Sequence, residues 1–192
     1  MFRLGKLRIT PGVLVLLAVS CLAGAGEVLP LVFLAAFLHE LAHIAALAFA
    51  GSNVEGIYLT AFGAEIQADT RFLPYGKDIL CTLAGPFANI FLGVILSRVS
   101  ADYLFAGANL LQGIFNLLPL AGMDGARALH LAISWAVDPP AADRICRGVE
   151  IVCSAALLLI SVYFVAAGQA GVFLLFAAVG IFGTAVAGWR GK

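Results

Sequence analysis

The chain has 192 residues, of which 62% are hydrophobic and 11% are charged, whereas a soluble globular domain carries about 25% charged residues. This composition excludes an ordinary water-soluble domain. The 21 glycines are typical of a helical membrane protein, in which small residues let helices approach closely. Basic and acidic residues both number 11, so there is no basic excess and nucleic acid is not an expected partner.

Apolar runs of about 20 residues, long enough to cross a bilayer, divide the chain into six predicted membrane segments. In chain order these are Pro11 to Gly26, Val28 to Ala50, Asp78 to Val99, Tyr103 to Val137, Asp143 to Ala167 and Gly171 to Trp189. The fourth is too long for one simple span. Pro119 and the glycines at 122 and 125 predict a break in it, as tolerated where a helix is buried in protein. The sequence therefore predicts an all-α membrane protein, a six-helix bundle forming a single domain over residues 1–192.

The distribution of charge predicts the orientation of this bundle, because lysine and arginine near the ends of spans stay in the cytoplasm. With six spans and a cytoplasmic N-terminus, ten of the 11 basic residues fall on the cytoplasmic side and only Arg98 falls outside. We therefore expect a multi-pass protein of the cell membrane with both termini in the cytoplasm. The first run leaves an alternative open, since the basic start, the apolar stretch 13–23 and the small residues 23–25 also fit a cleaved signal peptide.

The polar stretch between the second and third predicted segments differs from the rest of the chain. Residues 54–67 contain β-branched and aromatic residues in partial alternation, with a glycine near the middle. This pattern favours a short β-hairpin at the cytoplasmic surface, and a plain structured loop is the alternative. An unpaired edge of such a hairpin could receive an extended peptide by strand addition. On that hypothesis, proline at Ile57 or Leu59 should weaken binding of the peptide.

The strongest motif is His39-Glu40-Leu41-Ala42-His43, an H-E-x-x-H pattern within an apolar run. Residues four apart lie about 40° apart around a helix, so both imidazoles project from one face and can hold a metal ion. Glu40 lies one step around the helix. It can take a proton from a water molecule at the metal without being a ligand, which is the general-base role in zinc peptidases. Chance occurrence is the alternative, but such residues at membrane depth are costly unless they are paired or bound to metal.

A catalytic zinc site normally has three protein ligands and one open position, so a further ligand is expected from outside this helix. Asp124 is the candidate, because the break around Pro119 would let its carboxylate approach the second segment. Asp124 also suits the N-cap of a helix that starts at Gly125, and both roles could hold. His130 lies about 240° around the helix from Asp124 and is interpreted as a satisfied histidine or one at the boundary of the buried region.

Two asparagines are further candidates. Asn89 ends the run Ala84-Gly85-Pro86-Phe87-Ala88-Asn89 and places an amide at membrane depth. Its side chain either bonds across helices or binds substrate. Asn116 carries the same ambiguity.

These motifs, in this order and spacing, resemble the site-2 protease family of intramembrane zinc metalloproteases. The short span before the metal helix, the turn at 61–64 and the six-helix layout resemble its sporulation-type branch. The resemblance implies zinc held by His39, His43 and Asp124, with Glu40 as general base. It implies that Asn89 orients substrate or stabilises the oxyanion, and Asn116 is kept beside it as a substrate-binding candidate.

The resemblance implies an intramembrane zinc endopeptidase that hydrolyses a peptide bond of a membrane-tethered protein near the cytoplasmic face. The expected cofactor is Zn2+. The expected partners are the tethered substrate, the lipid bilayer and a membrane inhibitor or regulatory protein. The sequence departs from the family pattern at Leu117, where proline is usual, and at Ala42, where glycine is usual, but neither change removes a ligand.

Neither a PDZ insertion nor a nucleotide-sensing regulatory domain is expected within residues 1–192. Two other functions stay open at this point. One is a catalytically silent metal-binding membrane scaffold or regulator, and the other is a zinc or proton transporter that uses the same ligands.

Overall fold

The structure is a computed structural model, and it describes residues 2–4, 7–9, 28–52, 54–60, 63–68, 70, 73–99, 103–169 and 171–190. Within these ranges the chain forms six helices and four strands. The helices are α1 (Val28–Ala50), α2 (Tyr75–Val99), α3 (Tyr103–Asn116), α4 (Asp124–Ala136), α5 (Pro139–Ala166) and α6 (Val172–Arg190). The strands are β1 (Phe2–Leu4), β2 (Leu7–Ile9), β3 (Val54–Thr60) and β4 (Gly63–Ala68).

Among the described helices, α1, α2 and α5 are long and apolar enough to cross a membrane. The chain is therefore a membrane protein. The predicted break in the fourth segment is confirmed, because α3 ends at Asn116 and α4 begins at Asp124.

The prediction of six spans is not supported. With 14 and 13 residues, α3 and α4 reach only about 20 Å at 1.5 Å per residue, less than the roughly 30 Å of a hydrocarbon core. α6 is not among the three candidate spans found within the described residues. The predicted segment Pro11 to Gly26 lies outside the described residues.

Burial in the helices is inverted relative to a soluble protein. The buried apolar side chains are mostly alanines, among them Ala35, Ala106 and Ala128, whereas the large Phe49 and Phe173 are exposed. Small buried residues let helices pack closely, and large outward residues suit lipid. The side-chain distribution therefore agrees with a membrane setting.

Contacts divide the chain into two compact units, residues 1–116 and 117–192. In the first unit, α1, α2 and α3 pack against one another, and β3 and β4 contact α1. In the second unit, α4 and α6 each pack against α5.

The strands of the first unit form one sheet in the order β1-β2-β3-β4. β1 is antiparallel to β2, β2 is parallel to β3 with Leu7 opposite Ile57, and β3 is antiparallel to β4 with Ile57 opposite Ile66. The strands at the edges of this sheet are therefore β1 and β4.

The hypothesis that a hairpin edge receives a peptide does not hold at β3, where Ile57 and Leu59 lie. Both residues pair with β4 on one side and with β2 on the other, so β2 already occupies that edge. β1 and β2 were not predicted. The alternation of apolar and charged residues in Phe2–Leu4 and Leu7–Ile9 is the sequence signal that indicates them.

A tight loop in the second unit leads into α4. Gly122 has a positive φ of 82°, which glycine adopts without steric cost. A Cβ on Gly125 would collide with the backbone carbonyl of Leu117. The loop therefore folds back against the first turn of α4, and only glycine fits at position 125.

The start of α4 corrects one interpretation of Asp124. Met123 is the N-cap residue, and its side chain makes no capping hydrogen bond, while Asp124 is already the first residue of the helix. The N-cap role predicted for Asp124 is wrong, because the helix begins at that residue and not after it. Its negative charge in the first turn is favourable next to the helix dipole.

Candidate metal centre

The histidines of the H-E-x-x-H motif lie on the buried face of α1. Ala35, His39, His43 and Leu47 are the buried residues of this helix, and their four-residue spacing forms one stripe. The stripe faces the other helices of the first unit, since α1 packs against α2 and α3. Both imidazoles are therefore enclosed within that unit.

The two imidazoles converge on one point. His39 Nε2 lies 3.1 Å from His43 Nε2, and the rings meet edge to face with their centroids 4.7 Å apart. Two histidine nitrogens that each lie roughly 2.0–2.1 Å from a tetrahedral zinc ion are separated by about 3.3 Å. The observed separation of the nitrogens fits a shared zinc ion.

A backbone carbonyl of α2 fixes the orientation of His43. His43 Nδ1 donates a hydrogen bond to the carbonyl oxygen of Cys81 at 2.8 Å. Because a carbonyl oxygen only accepts, Nδ1 carries the proton and a neutral His43 keeps its lone pair on Nε2. Metal-ligating histidines usually donate their second ring N–H in this way. His43 is thus held in the tautomer that a zinc ligand requires.

Gly85 of α2 makes room for these nitrogens. A Cβ at this position would lie 2.7 Å from His39 Nε2 and closer still to His43 Nε2. Any larger residue would therefore have to displace an imidazole. The sequence indicated only close helix packing at Gly85, because the spacing of residues within α2 does not show which side chain of α1 lies opposite.

Three other predicted site residues belong to the first unit. Glu40 follows His39 on α1 and is half-buried. Asn89 is fully buried, one helical turn beyond Gly85 on the same face of α2. Asn116 is the last residue of α3, and its Nδ2 donates to the carbonyl oxygen of Gln112 at 3.1 Å.

Two predicted residues belong to the second unit. Asp124 is the first residue of α4. His130, further along α4, has its Nε2 at 2.8 Å from Oδ1 of Asp143 on α5. This hydrogen bond agrees with the interpretation of His130 as a satisfied or boundary histidine.

The fold has a solved counterpart. The structure of a site-2 protease from Methanocaldococcus jannaschii matches with a TM-score of 0.71 and 22% identity, covering 97% of this chain and 93% of that one. In sequence, the chain is 28% identical over 180 residues to Stage IV sporulation protein FB of Bacillus subtilis. The chain therefore has the fold of a site-2 protease and is similar in sequence to the sporulation protein.

Other comparisons delimit this assignment. A zinc metalloprotease of Methanocaldococcus jannaschii is 30% identical over 115 residues, which are 54% of this chain. The chain spans 62% of the length of the sporulation protein and 33% of the length of the archaeal zinc metalloprotease. No protein-family profile matches the sequence. The site-2 protease resemblance read from the motifs is confirmed by these relatives.

Proposed function

We propose that the chain is an intramembrane zinc endopeptidase that hydrolyses a peptide bond of a membrane-tethered protein near the cytoplasmic face. This proposal rests on the convergence of the Nε2 atoms of His39 and His43, which lie 3.1 Å apart. The two histidines are buried and adjacent to Glu40, and the chain has the fold of a site-2 protease. A relative named as a zinc metalloprotease supports it. The two compact units act as one protease domain in this proposal.

The proposed zinc ligands are His39, His43 and Asp124, each of which offers one ligand atom. The assignment of Asp124 rests on the Asp124-Gly125 pair that follows the break after α3. When bound, zinc would polarise the scissile carbonyl and lower the pKa of a water molecule. The buried histidines and the Cys81 carbonyl that orients His43 preorganise the site for this ion.

Glu40 is the proposed general base. Its carboxylate takes a proton from the attacking water and returns it to the departing amine. Asn89 and Asn116 are proposed to orient the substrate through their amides. A helical substrate hides its carbonyls in intrahelical bonds, so the substrate has to unwind before the attack.

We propose that the cut falls near the cytoplasmic side. His39 and His43 lie in the second half of α1, which runs toward the cytoplasm if the N-terminus is cytoplasmic. The bias of basic residues supports cytoplasmic termini and a multi-pass arrangement. A membrane-borne inhibitor or regulator is also proposed as a partner.

Metal analysis and cleavage of a reporter test this function together. The purified protein should bind about one zinc ion per chain, which Glu40→Gln keeps and Asp124→Ala loses. Cleavage of single-span reporters with a cytoplasmic tag should fall by roughly 10²–10⁴ in Glu40→Gln. Glu150→Gln on α5 makes the same chemical change outside the proposed site and should leave cleavage unchanged.

Two results would contradict the proposal. Wild-type protein that takes up no zinc on reconstitution would exclude the metal centre. Zinc-loaded wild type that cleaves no reporter at a rate above that of Glu40→Gln would indicate a metal-binding scaffold instead.

A further inference from the structure

Two asparagines are enclosed in the first unit. Asn89 of α2 and Asn109 of α3 are both 0% exposed. Asn109 Nδ2 donates to the carbonyl oxygen of Phe105 in its own helix at 2.9 Å. Both amide atoms of Asn89, and Oδ1 of Asn109, have no hydrogen-bond partner among the residues that the structure describes. Buried amide groups without hydrogen bonds destabilise a fold. We therefore expect a bound molecule to provide the missing hydrogen bonds.

The glycines of α2 show where Asn89 points. Gly85 lies about 40° to one side of Asn89 around the helix, and Gly93 about 40° to the other side. A Cβ on Gly85 would meet the histidines of α1, whereas a Cβ on Gly93 would meet Leu110 of α3. Asn89 therefore points into the space between α1 and α3.

Asn109 points into the same space from α3. Leu110 and Gly113 form the side of α3 that faces α2, and Asn109 lies about 40° from Gly113. On the other side of the α2-facing residues, α3 is uncovered, because Leu111 and Ile114 are exposed. Since α3 also packs against α1, a fully buried Asn109 lies on the side towards α1.

The two asparagines lie at similar depths. Gly93 is opposite Leu110, and Gly113 is opposite Ile90, so α2 and α3 are antiparallel. Asn89 is therefore level with residues 112–113 of α3. Asn109 lies within about one helical turn of this level, roughly 5 Å along the axis.

Two further residues border this space, Gln112, which lies about 60° from Asn109 around α3, and Ala35 of α1. The Oε1 atom of Gln112 is buried and lacks a hydrogen-bond partner within the described ranges. On α1, Ala35 continues the stripe of His39 and His43 by one turn and is 0% exposed. Because His43 contacts Cys81 and both histidines contact Gly85, Ala35 lies near the level of Asn89, where its small side chain leaves room.

We propose that this interior space binds water through Asn89, Asn109 and Gln112, and that it supplies the adjacent histidine site. A buried water typically makes about three hydrogen bonds. Asn89 Nδ2 offers a donor, and the three amide oxygens offer acceptors, which matches one or two water molecules. Both asparagines are fully enclosed in the absence of substrate, so the occupant proposed for the substrate-free protein is water.

The location suits a hydrolase inside a membrane. Hydrolysis of a peptide bond consumes one water molecule, whose oxygen goes to the acyl carbon and whose hydrogens end on the new carboxyl and amine. Lipid around the helices supplies no water. Asn89 is one helical turn from Gly85, which contacts both Nε2 atoms. The role as a supply rests on the proposed function, whereas the binding of water does not.

A double-mutant cycle on zinc-loaded protein in detergent tests the water site. If water links the amides, Asn89→Leu and Asn109→Leu should each lower the thermal unfolding midpoint, and the double variant should be no worse than the more damaging single one. If the amides are dry, each leucine should raise the midpoint and the effects should add; that result overturns the proposal. Ser161→Ala on α5 is the control, because Ser161 Oγ donates within its own helix to Leu157, so its effect should add to either asparagine variant.

Hydroxyl-radical footprinting by X-ray radiolysis separates water from a direct bond between the two amides. We expect labelling of Ile90 and Leu110 in wild type and a several-fold loss in Asn109→Leu. If the effects of the two variants on the unfolding midpoint are coupled but Ile90 and Leu110 are not labelled in wild type, the two amides bond directly to each other. That result would overturn the proposal. This result does not depend on catalysis and needs only the wild-type protein to fold.

The supply role has its own measurement. Asn109→Leu should lower kcat about tenfold, the worth of one strong hydrogen bond, with KM and zinc content unchanged. Suppose that Ile90 and Leu110 are labelled and the effects of the two asparagine variants on the unfolding midpoint are coupled, but the protein cleaves no reporter. This outcome would support the water site and reject the proposed function. If the protein cleaves the reporter but shows no labelling and additive effects of the two variants, the proposed function stands and the water site is rejected.

Discussion

Buried polar side chains in the two units offer a contrast between hydrogen bonds within one helix and a hydrogen bond between two helices. In the second unit, the hydroxyls of Ser154 and Ser161 donate to carbonyls one turn back in their own helix, α5. In the first unit, His43 bonds across to the Cys81 carbonyl on another helix. A polar group satisfied within its own helix needs nothing from its neighbours and is consistent with packing alone. A polar group that reaches across helices depends on their arrangement, which is where a functional site is expected.

The largest effect that tests this contrast is expected at Gly85. Gly85→Ala should remove zinc and reduce cleavage about a hundredfold or more, because the added methyl group displaces the imidazoles. Gly107→Ala is the matched control in the same unit, since a Cβ there meets nothing within 4 Å. Metal analysis and reporter cleavage measure both. Full zinc occupancy in Gly85→Ala would show that the histidines do not depend on this close approach.

A smaller effect, on folding, is expected in the second unit. Gly125→Ala should lower the free energy of unfolding of the zinc-free protein by about 1–3 kcal/mol, because its methyl group meets the rigid backbone of Leu117. Gly148→Ala on α5 meets nothing within 4 Å and should be neutral or stabilise by up to about 1 kcal/mol. Denaturant unfolding of the two variants compares them. Equal stabilities would contradict the tight loop before α4.

The smallest effect is expected at the contact between His130 of α4 and Asp143 of α5. The side chains of His130 and Asp143 are 39% and 50% exposed, so solvent screens their interaction and its contribution is below about 1 kcal/mol. His130→Asn should leave zinc content and cleavage unchanged and shift unfolding only slightly. A tenfold loss of cleavage in this variant would place His130 in the working site and weaken the contrast between the units.

Composition and local signals predicted the long helices well. α1 has the predicted bounds, because its apolar run ends at Gly51, which has a positive φ of 83° suited to a helix end. α5 starts at Pro139, before the predicted Asp143. The reason is local and readable, since the Asp138 side chain accepts a hydrogen bond from the Ala141 N–H at 2.6 Å and proline suits the first helical position.

Features that depend on neighbouring elements were not predictable in the same way. Periodicity indicates which face of a helix is buried but not which helix covers it. Gly85 was therefore expected only to allow close helix packing, and Asn109 was not singled out. The assembled helices place Gly85 against the histidines and bury Asn109 completely. The parallel pairing of β2 with β3 joins residues as far apart as Leu7 and Ile57, a relation that no local pattern carries.

Pro86 gives α2 an uneven mechanical stiffness. Proline has no N–H, so the carbonyl of Thr82 receives no helical hydrogen bond from it, although the helix continues past this point. The helix is thus most easily bent beside the Cys81 carbonyl that holds His43. A lateral force on α2, from lipid or from a bound protein, would move that carbonyl and weaken its hydrogen bond to His43. Bending of the helix would then change the affinity of the site for its metal.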